Sequence, residues 1–151
     1  MNQDEQHQLT HLDQDGRLRM VDVGDKAVTQ REATAQTTIY LGPKGFPLLL
    51  AKELKKGDAL AAARVAAILA VKNTYQLIPL CHNIPITGIE VDFTPDDRRQ
   101  ALEIRVTVRT QAQTGVEMEA LTGAAVAALT IYDMCKAVDR GLVIDQLRLV
   151  H

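Results

Sequence analysis

The stretch Ile86-Thr87-Gly88-Ile89-Glu90-Val91-Asp92-Phe93, followed after a short break by Ala101-Leu102-Glu103-Ile104-Arg105-Val106-Thr107-Val108-Arg109, decides the fold. Ile89, Val91 and Phe93 alternate with Glu90 and Asp92. Leu102, Ile104, Val106 and Val108 alternate with Glu103, Arg105, Thr107 and Arg109. A period of two sends one set of side chains into a core and the other toward water, so each run reads as a strand. The connector Thr94–Gln100 is polar, and two strands joined this closely form an antiparallel hairpin.

Outward from the hairpin the pattern changes period. Ala120–Ala137 is almost entirely apolar or small and predicts a long helix, stopped near Arg140-Gly141 by a glycine C-cap signal. Ala59–Val71 predicts a second helix, rich in Ala, Val, Ile and Leu, with Asp58 as its N-cap. Both look like helices with no wide polar face. Phe46–Lys55 reads as a shorter helix after a turn at Gly42-Pro43-Lys44-Gly45, which lacks the spacing of a phosphate-binding loop. Arg31–Leu41 alternates at Ala33, Ala35, Thr37, Ile39 and Leu41 and reads as a strand. Arg17–Val23 and Leu142–Val150 are further strands, and Tyr75–Pro85 is irregular. Residues 1–16 form a flexible polar lead, and 17–151 a single domain. The order of elements suits an α+β sandwich, a mainly antiparallel sheet with helices packed on one face. One sheet cannot cover every side of two such helices, so self-association into a homo-oligomer is expected.

The 151 residues are 46% hydrophobic and 24% charged, which describes a globular chain. Aromatic residues are only 3%, so the core is built from aliphatic side chains. A net charge of −2 argues against a nucleic-acid partner, which calls for a basic stripe. Two cysteines, Cys81 and Cys135, cannot staple a fold and read as reduced thiols of a cytoplasmic protein. The first ten residues are polar and do not read as a signal peptide. The long apolar run contains Asp133 and Lys136, which argues against a membrane span.

Those two charges are also the chemical clue. Three residues apart on a helix, they share a side. In a helix read as buried all round, an acid and an amine need a partner or a task. A structural ion pair and a catalytic pair both satisfy that requirement. Cys81-His82 lies in a proline-flanked loop whose histidine offers a donor or acceptor near neutral pH. No spacing for a metal site accompanies it. Glu117 and Glu119 open the long helix, either complementing its dipole or accepting paired N–H donors from the edge of a guanine-like ring. Lys55, Lys56, Lys72, Arg31 and Lys136 are candidates for an anion clamp.

Leu9-Thr10-His11, Met20-Val21-Asp22-Val23, Lys56-Gly57-Asp58, Leu77-Ile78-Pro79-Leu80-Cys81-His82, Thr114–Thr122 and Leu129–Ala137 are together specific. Over nearly all of Leu9–Val150 the chain resembles the molybdenum cofactor biosynthesis protein C (MoaC) family, the cyclic pyranopterin monophosphate synthases. The resemblance implies a ferredoxin-like sandwich and a hexamer built as a trimer of dimers, with sites at the dimer interface. It implies a lyase that converts (8S)-3′,8-cyclo-7,8-dihydroguanosine 5′-triphosphate to cyclic pyranopterin monophosphate and pyrophosphate. It implies no redox cofactor and no protein-bound metal, and it leaves open a divalent ion such as magnesium on the triphosphate. Substrate contacts fall on Leu80, Cys81, His82, Met118 and Glu119. Asp133 matches the catalytic acid/base, with Lys136 and Lys56 as its partners. Glu117, Arg31 and Lys72 match further pocket positions.

Two departures from the family pattern stand out. Asn83 replaces the proline of the usual Leu-Cys-His-Pro, freeing φ and restoring an N–H, which loosens the loop. Family members continue past the last strand into a tail rich in Lys, Gly and Ser with a phosphate-holding lysine, whereas the sequence here runs to His151. Two rival readings follow. One is a catalytically silent homologue that binds guanine nucleotide. The other is a ferredoxin-like small-ligand sensor, which has no need of Asp133 and Lys136. Gly123, inside the long helix, is expected to allow close helix contact.

Overall fold

A computed structural model of the chain describes residues 10–151. Residues 1–9, most of the expected lead, lie outside the described residues. The elements are β1 (Thr29–Tyr40), α1 (Gly42–Leu50), α2 (Ala59–Lys72), α3 (Thr74–Leu77), β2 (Ile86–Asp96), β3 (Ala101–Ala112), α4 (Glu117–Cys135) and β4 (Val143–Leu149). Their spatial order is β2-β3-β1-β4 and every pairing is antiparallel. With α2 and α4 as the two crossovers this is the ferredoxin-like split β-α-β arrangement, as the resemblance implied. No helix among the described residues is long and apolar enough to cross a membrane.

The hairpin forms as its alternation predicts. Val91 faces Val106 and Phe93 faces Ile104 across the β2–β3 ladder, and β1 continues the same face with Ala35 opposite Val106 and Ile39 opposite Leu102. Helices α2 and α4 cover that face. The opposite face is polar: Arg109 holds both Glu32 and Glu90, and Arg105 donates to Gln36. At the β4 edge the register with β1 shifts between Gln36 and Thr38, where Thr37 Oγ1 donates to the Asp145 carbonyl. Gln146, next along β4, adopts a positive φ of 55°.

Several element boundaries differ from expectation for identifiable reasons. Gly42-Pro43 is the first turn of α1, not a separate turn. Gly42 takes φ +74°, proline is tolerated where no helical N–H is needed, and the helix ends at Leu50 rather than Lys55. Arg17–Val23 is not a strand. Among the described residues its only ladder contact is a Leu12–Leu18 bridge closing the turn Asp13–Gly16, where the Asp13 carboxylate accepts from the Asp15 and Arg17 N–H groups. Thr74–Leu77 forms one helical turn inside the segment read as irregular. Helix α4 stops at Cys135, with Lys136 as its C-cap, five residues before the glycine.

Asp58 caps α2 as expected, its carboxylate accepting from the Ala61 N–H. The two long helices approach each other through small residues: Ala63, Ala67 and Val71 of α2, and Ala120, Gly123, Ala124 and Ala127 of α4, are all buried. Neither helix is buried all round, contrary to the sequence reading. Val65 is 59% exposed, Leu69 54% and Leu129 58%, because their outward faces have only solvent to meet in a single chain.

Gly123 sits at the closest approach. A Cβ there would lie 2.7 Å from Val71 Cγ2 and 3.1 Å from Val106 Cγ1. Gly123→Ala gains about 1 kcal/mol of helix propensity. It loses more, since overpacking a tight core costs about 1–3 kcal/mol. Thermal or urea unfolding should show the variant destabilised; an unchanged or raised melting temperature would mean that α2 and α4 do not pack this closely.

Candidate active site

Helix α4 begins at Glu117 behind Val116, which offers no side-chain cap, so the first-turn N–H groups have no capping side chain. The loop Leu80-Cys81-His82 follows α3 and lies beside this helix start. Between them opens a cavity of about 300 Å³. Leu80, Cys81, His82, Glu117, Met118 and Glu119 all line it. Six of the eight substrate-binding positions implied by the resemblance therefore meet at one place, and Arg31 and Lys72 do not. Gly115 also belongs to the wall, and a Cβ on it would collide with the Glu117 carboxylate.

Glu119 is only 5% exposed, yet no cation lies within ion-pair distance of it among the described residues. Burial raises its pKa above the ordinary 4.5, helped by the charge of Glu117 and opposed by its own backbone N–H and by His82. Burial first, and then Glu119, push the Cys81 thiol up, so it is held as a thiol and not as a nucleophilic thiolate. Burial lifts Cys135 to about 11.

A third wall was not assigned a role from the sequence. Residues 10–26 form a strap across the cavity, to which Thr10, His11, Val21, Val23 and Lys26 contribute. His82 Nε2 donates to the Val21 carbonyl, and Gln113 Nε2 donates to the Gly24 carbonyl at 3.1 Å. The motifs Leu9-Thr10-His11 and Met20–Val23 were the available signal. They carried the resemblance without any chemistry attached to them.

The second cluster lies at the other end of α4. Asp133 Oδ1 accepts from Lys136 Nζ at 2.9 Å, and Oδ2 from Lys56 Nζ at 3.1 Å. Lys56 Nζ also donates to the Asp133 carbonyl at 3.2 Å, bringing a cation to the negative helix end. The hydrogen bonds from Lys136 and then Lys56 hold the Asp133 carboxyl below its ordinary range. The sequence reading expected this pair to be buried. It is not: the Asp133 and Lys136 side chains are each 56% exposed. Ile131 and Cys135 face the core there, and Asp133 and Lys136 occupy the outward side of the same turn.

The remaining candidates lie elsewhere. Arg31 donates to the Ala112 and Gln113 carbonyls at 3.4 and 3.5 Å and borders a separate hollow of about 480 Å³ on the polar sheet face. Lys72 ends α2 and is exposed. Asn83 is exposed and borders a different hollow. Along α4, Glu119 and Asp133 are fourteen residues apart, which at about 1.5 Å per residue is roughly 21 Å.

The chain closely resembles known proteins over this whole region. A cyclic pyranopterin monophosphate synthase of Chloroflexus aurantiacus is 58% identical over 144 residues, covering 95% of this chain and 88% of that one. One of Bordetella avium is 50% identical over 143 residues, with 95% and 88% covered. The human molybdenum cofactor biosynthesis protein 1 is 52% identical over 143 residues, which are 95% of this chain and 22% of that protein. The sequence model of the MoaC family matches residues 20–151. The chain belongs to the MoaC family. The family match takes in the Asp133 cluster and every residue lining the cavity except Thr10 and His11.

Two predictions follow from the electrostatics. A carboxyl with a raised native pKa binds its proton more tightly folded than unfolded, so its contribution to stability falls as pH rises through the window above 4.5. Glu119→Gln removes that penalty. Its melting temperature should exceed that of the unsubstituted protein at about pH 8 and lose the advantage by about pH 4; a constant difference would show that Glu119 does not titrate this way. Because the Asp133 cluster is solvent-exposed, Lys56→Ala and Lys136→Ala should both melt close to the unsubstituted protein. A marked drop for Lys136→Ala alone would restore the buried pair.

Proposed function

We infer that the chain is a cyclic pyranopterin monophosphate synthase, a lyase of molybdenum cofactor biosynthesis acting in the cytoplasm. It converts 3′,8-cyclo-7,8-dihydroguanosine 5′-triphosphate to cyclic pyranopterin monophosphate and pyrophosphate. The observation that carries this reading is the shared cavity: the six positions on the loop and the α4 start converge around a buried carboxylate with no cation of its own. A guanine-derived ring presents paired N–H donors on one edge, and Glu119 offers two acceptor oxygens for them. The free N–H groups of the helix start and the loop backbone suit the ring's acceptors. The names carried by relatives at 50–58% identity agree with this chemistry.

The second cluster supplies the proton transfers. Lys136 and Lys56 keep Asp133 ionised, so it acts as the base, and the two ammonium groups act as proton donors. In the cyclisation a ribose hydroxyl oxygen bonds to the α-phosphorus, the bond to the pyrophosphate oxygen breaks, and the hydroxyl proton passes to a base. The ammonium groups offset the charge that moves onto the departing pyrophosphate.

A ring cannot touch both clusters of one chain across roughly 21 Å. The site is therefore shared, Glu119 and the Cys81-His82 loop coming from one subunit and Asp133, Lys136 and Lys56 from another. The exposed apolar faces at Val65, Leu69 and Leu129 support association. The assembly is a homohexamer, a trimer of dimers.

Asp133→Asn should abolish formation of the pterin product while leaving the fold intact. Glu119→Ala should be inactive too. Mixing the two inactive variants and allowing subunits to exchange should regenerate part of the activity, because some interfaces then carry one intact site. Exchange without recovery would confine the site to one chain, and turnover by Asp133→Asn alone would remove Asp133 from the base role.

A further inference from the structure

The cavity at the start of α4 is electrically divided. Its helix wall carries Glu117 and Glu119, its loop wall Cys81 and His82, and its strap wall His11 and Lys26. Among the described residues, Lys26 is the only lysine or arginine lining it. Within one chain, the cations that the sequence offers for phosphate lie outside this cavity, and in the shared site Lys56 and Lys136 come from the second subunit. Arg31 is engaged with the Ala112 and Gln113 carbonyls outside the cavity, Lys72 ends α2, and Lys56 and Lys136 are committed to Asp133 at the far end of α4.

Lys26 is also held in place. Gly24 N–H donates to the Asp22 carboxylate at 2.8 Å, and Lys26 N–H donates to the Val23 carbonyl at 3.0 Å, closing a tight turn. That turn is tied to the cavity twice, by His82 donating to the Val21 carbonyl and by Gln113 donating to the Gly24 carbonyl. Despite sharing a cavity with two carboxylates, the Lys26 ammonium forms no ion pair among the described residues. An ammonium is a donor only and cannot receive the N–H edge of a ring; it needs an anionic or carbonyl acceptor.

We propose that Lys26 is a phosphate contact of this site, and that the strap of residues 10–26 is part of the substrate-binding wall. The proposal rests on the reading that the cavity takes a guanine-derived nucleotide, and it adds an orientation to it. The donor edge of the ring turns to the acidic helix wall and a phosphate turns to the strap. The pinned strap limits the reorganisation needed on binding. It also gives the Thr10-His11 and Met20–Val23 motifs a purpose, since these segments carry Lys26 to the cavity and hold it there.

Guanosine and GTP, titrated separately by ligand-observed NMR, test it. Lys26→Met should weaken GTP about tenfold or more, as expected for loss of a hydrogen bond to a charged group. It should leave guanosine binding unchanged, and Lys26→Arg should restore GTP binding. In turnover of the cyclised triphosphate, Lys26→Met should raise KM with a smaller change in kcat. GTP binding by Lys26→Met equal to that of the unsubstituted protein would overturn the proposal. Equal weakening of GTP and guanosine would also overturn it, assigning Lys26 to the ring or to the fold. If the unsubstituted protein bound neither ligand, the nucleotide reading of the cavity would fall, and the Lys26 proposal with it.

Discussion

By its length, helix α4 sets two side-chain clusters of one chain roughly 21 Å apart. Its first turn carries Glu117 and Glu119 beside the Cys81-His82 loop, and its last turn carries Asp133 beside Lys56 and Lys136. Packing on the sheet through Ala120, Gly123, Ala124 and Ala127 fixes the rod in place, and with it the separation of the two clusters. An enclosed acidic cavity wall and an open ion cluster thus stand at opposite poles of one element. The sheet and the small-residue contact with α2 hold that rod in place and leave apolar residues such as Leu129 on its outer face.

The two poles also differ in environment. Glu119 is enclosed and lacks a cation, so its proton is held more firmly than in water. Asp133 is open and has two ammonium partners, so its proton is lost more readily. Two carboxylates of one helix are pushed in opposite directions, one by desolvation and one by charge. Such divergence is how a site assigns distinct roles to chemically similar groups.

Much of this was legible in the chain itself. Alternation at Ile89, Val91 and Phe93 and from Leu102 to Val108 identified the hairpin, and register places those residues on the core face. Asp58 announced its helix correctly. The failures share a cause, since each depended on something other than local pattern. Gly42-Pro43 has the composition of a turn and the geometry of a helix start. The apolar neighbours of Asp133 suggest burial, but Ile131 and Cys135 take the core side of the last turn and Asp133 is left on its outward side. The strap was passed over because Lys26, Thr10 and His11 carry no periodic signal; their value comes from where the chain returns to pass the α4 start.

The irregular β4 edge bears on how the protein behaves in concentrated solution. An outer strand presents unpaired N–H and C=O groups that can recruit foreign strands, and Val143, Leu147 and Leu149 make this one partly apolar. The register shift opposite Gln36–Thr38 and the positive φ of Gln146 bend β4 midway, so no long straight row of hydrogen-bonding groups is offered. The same kink, at which Thr37 holds the Asp145 carbonyl, thus works against fibrous self-assembly along this edge.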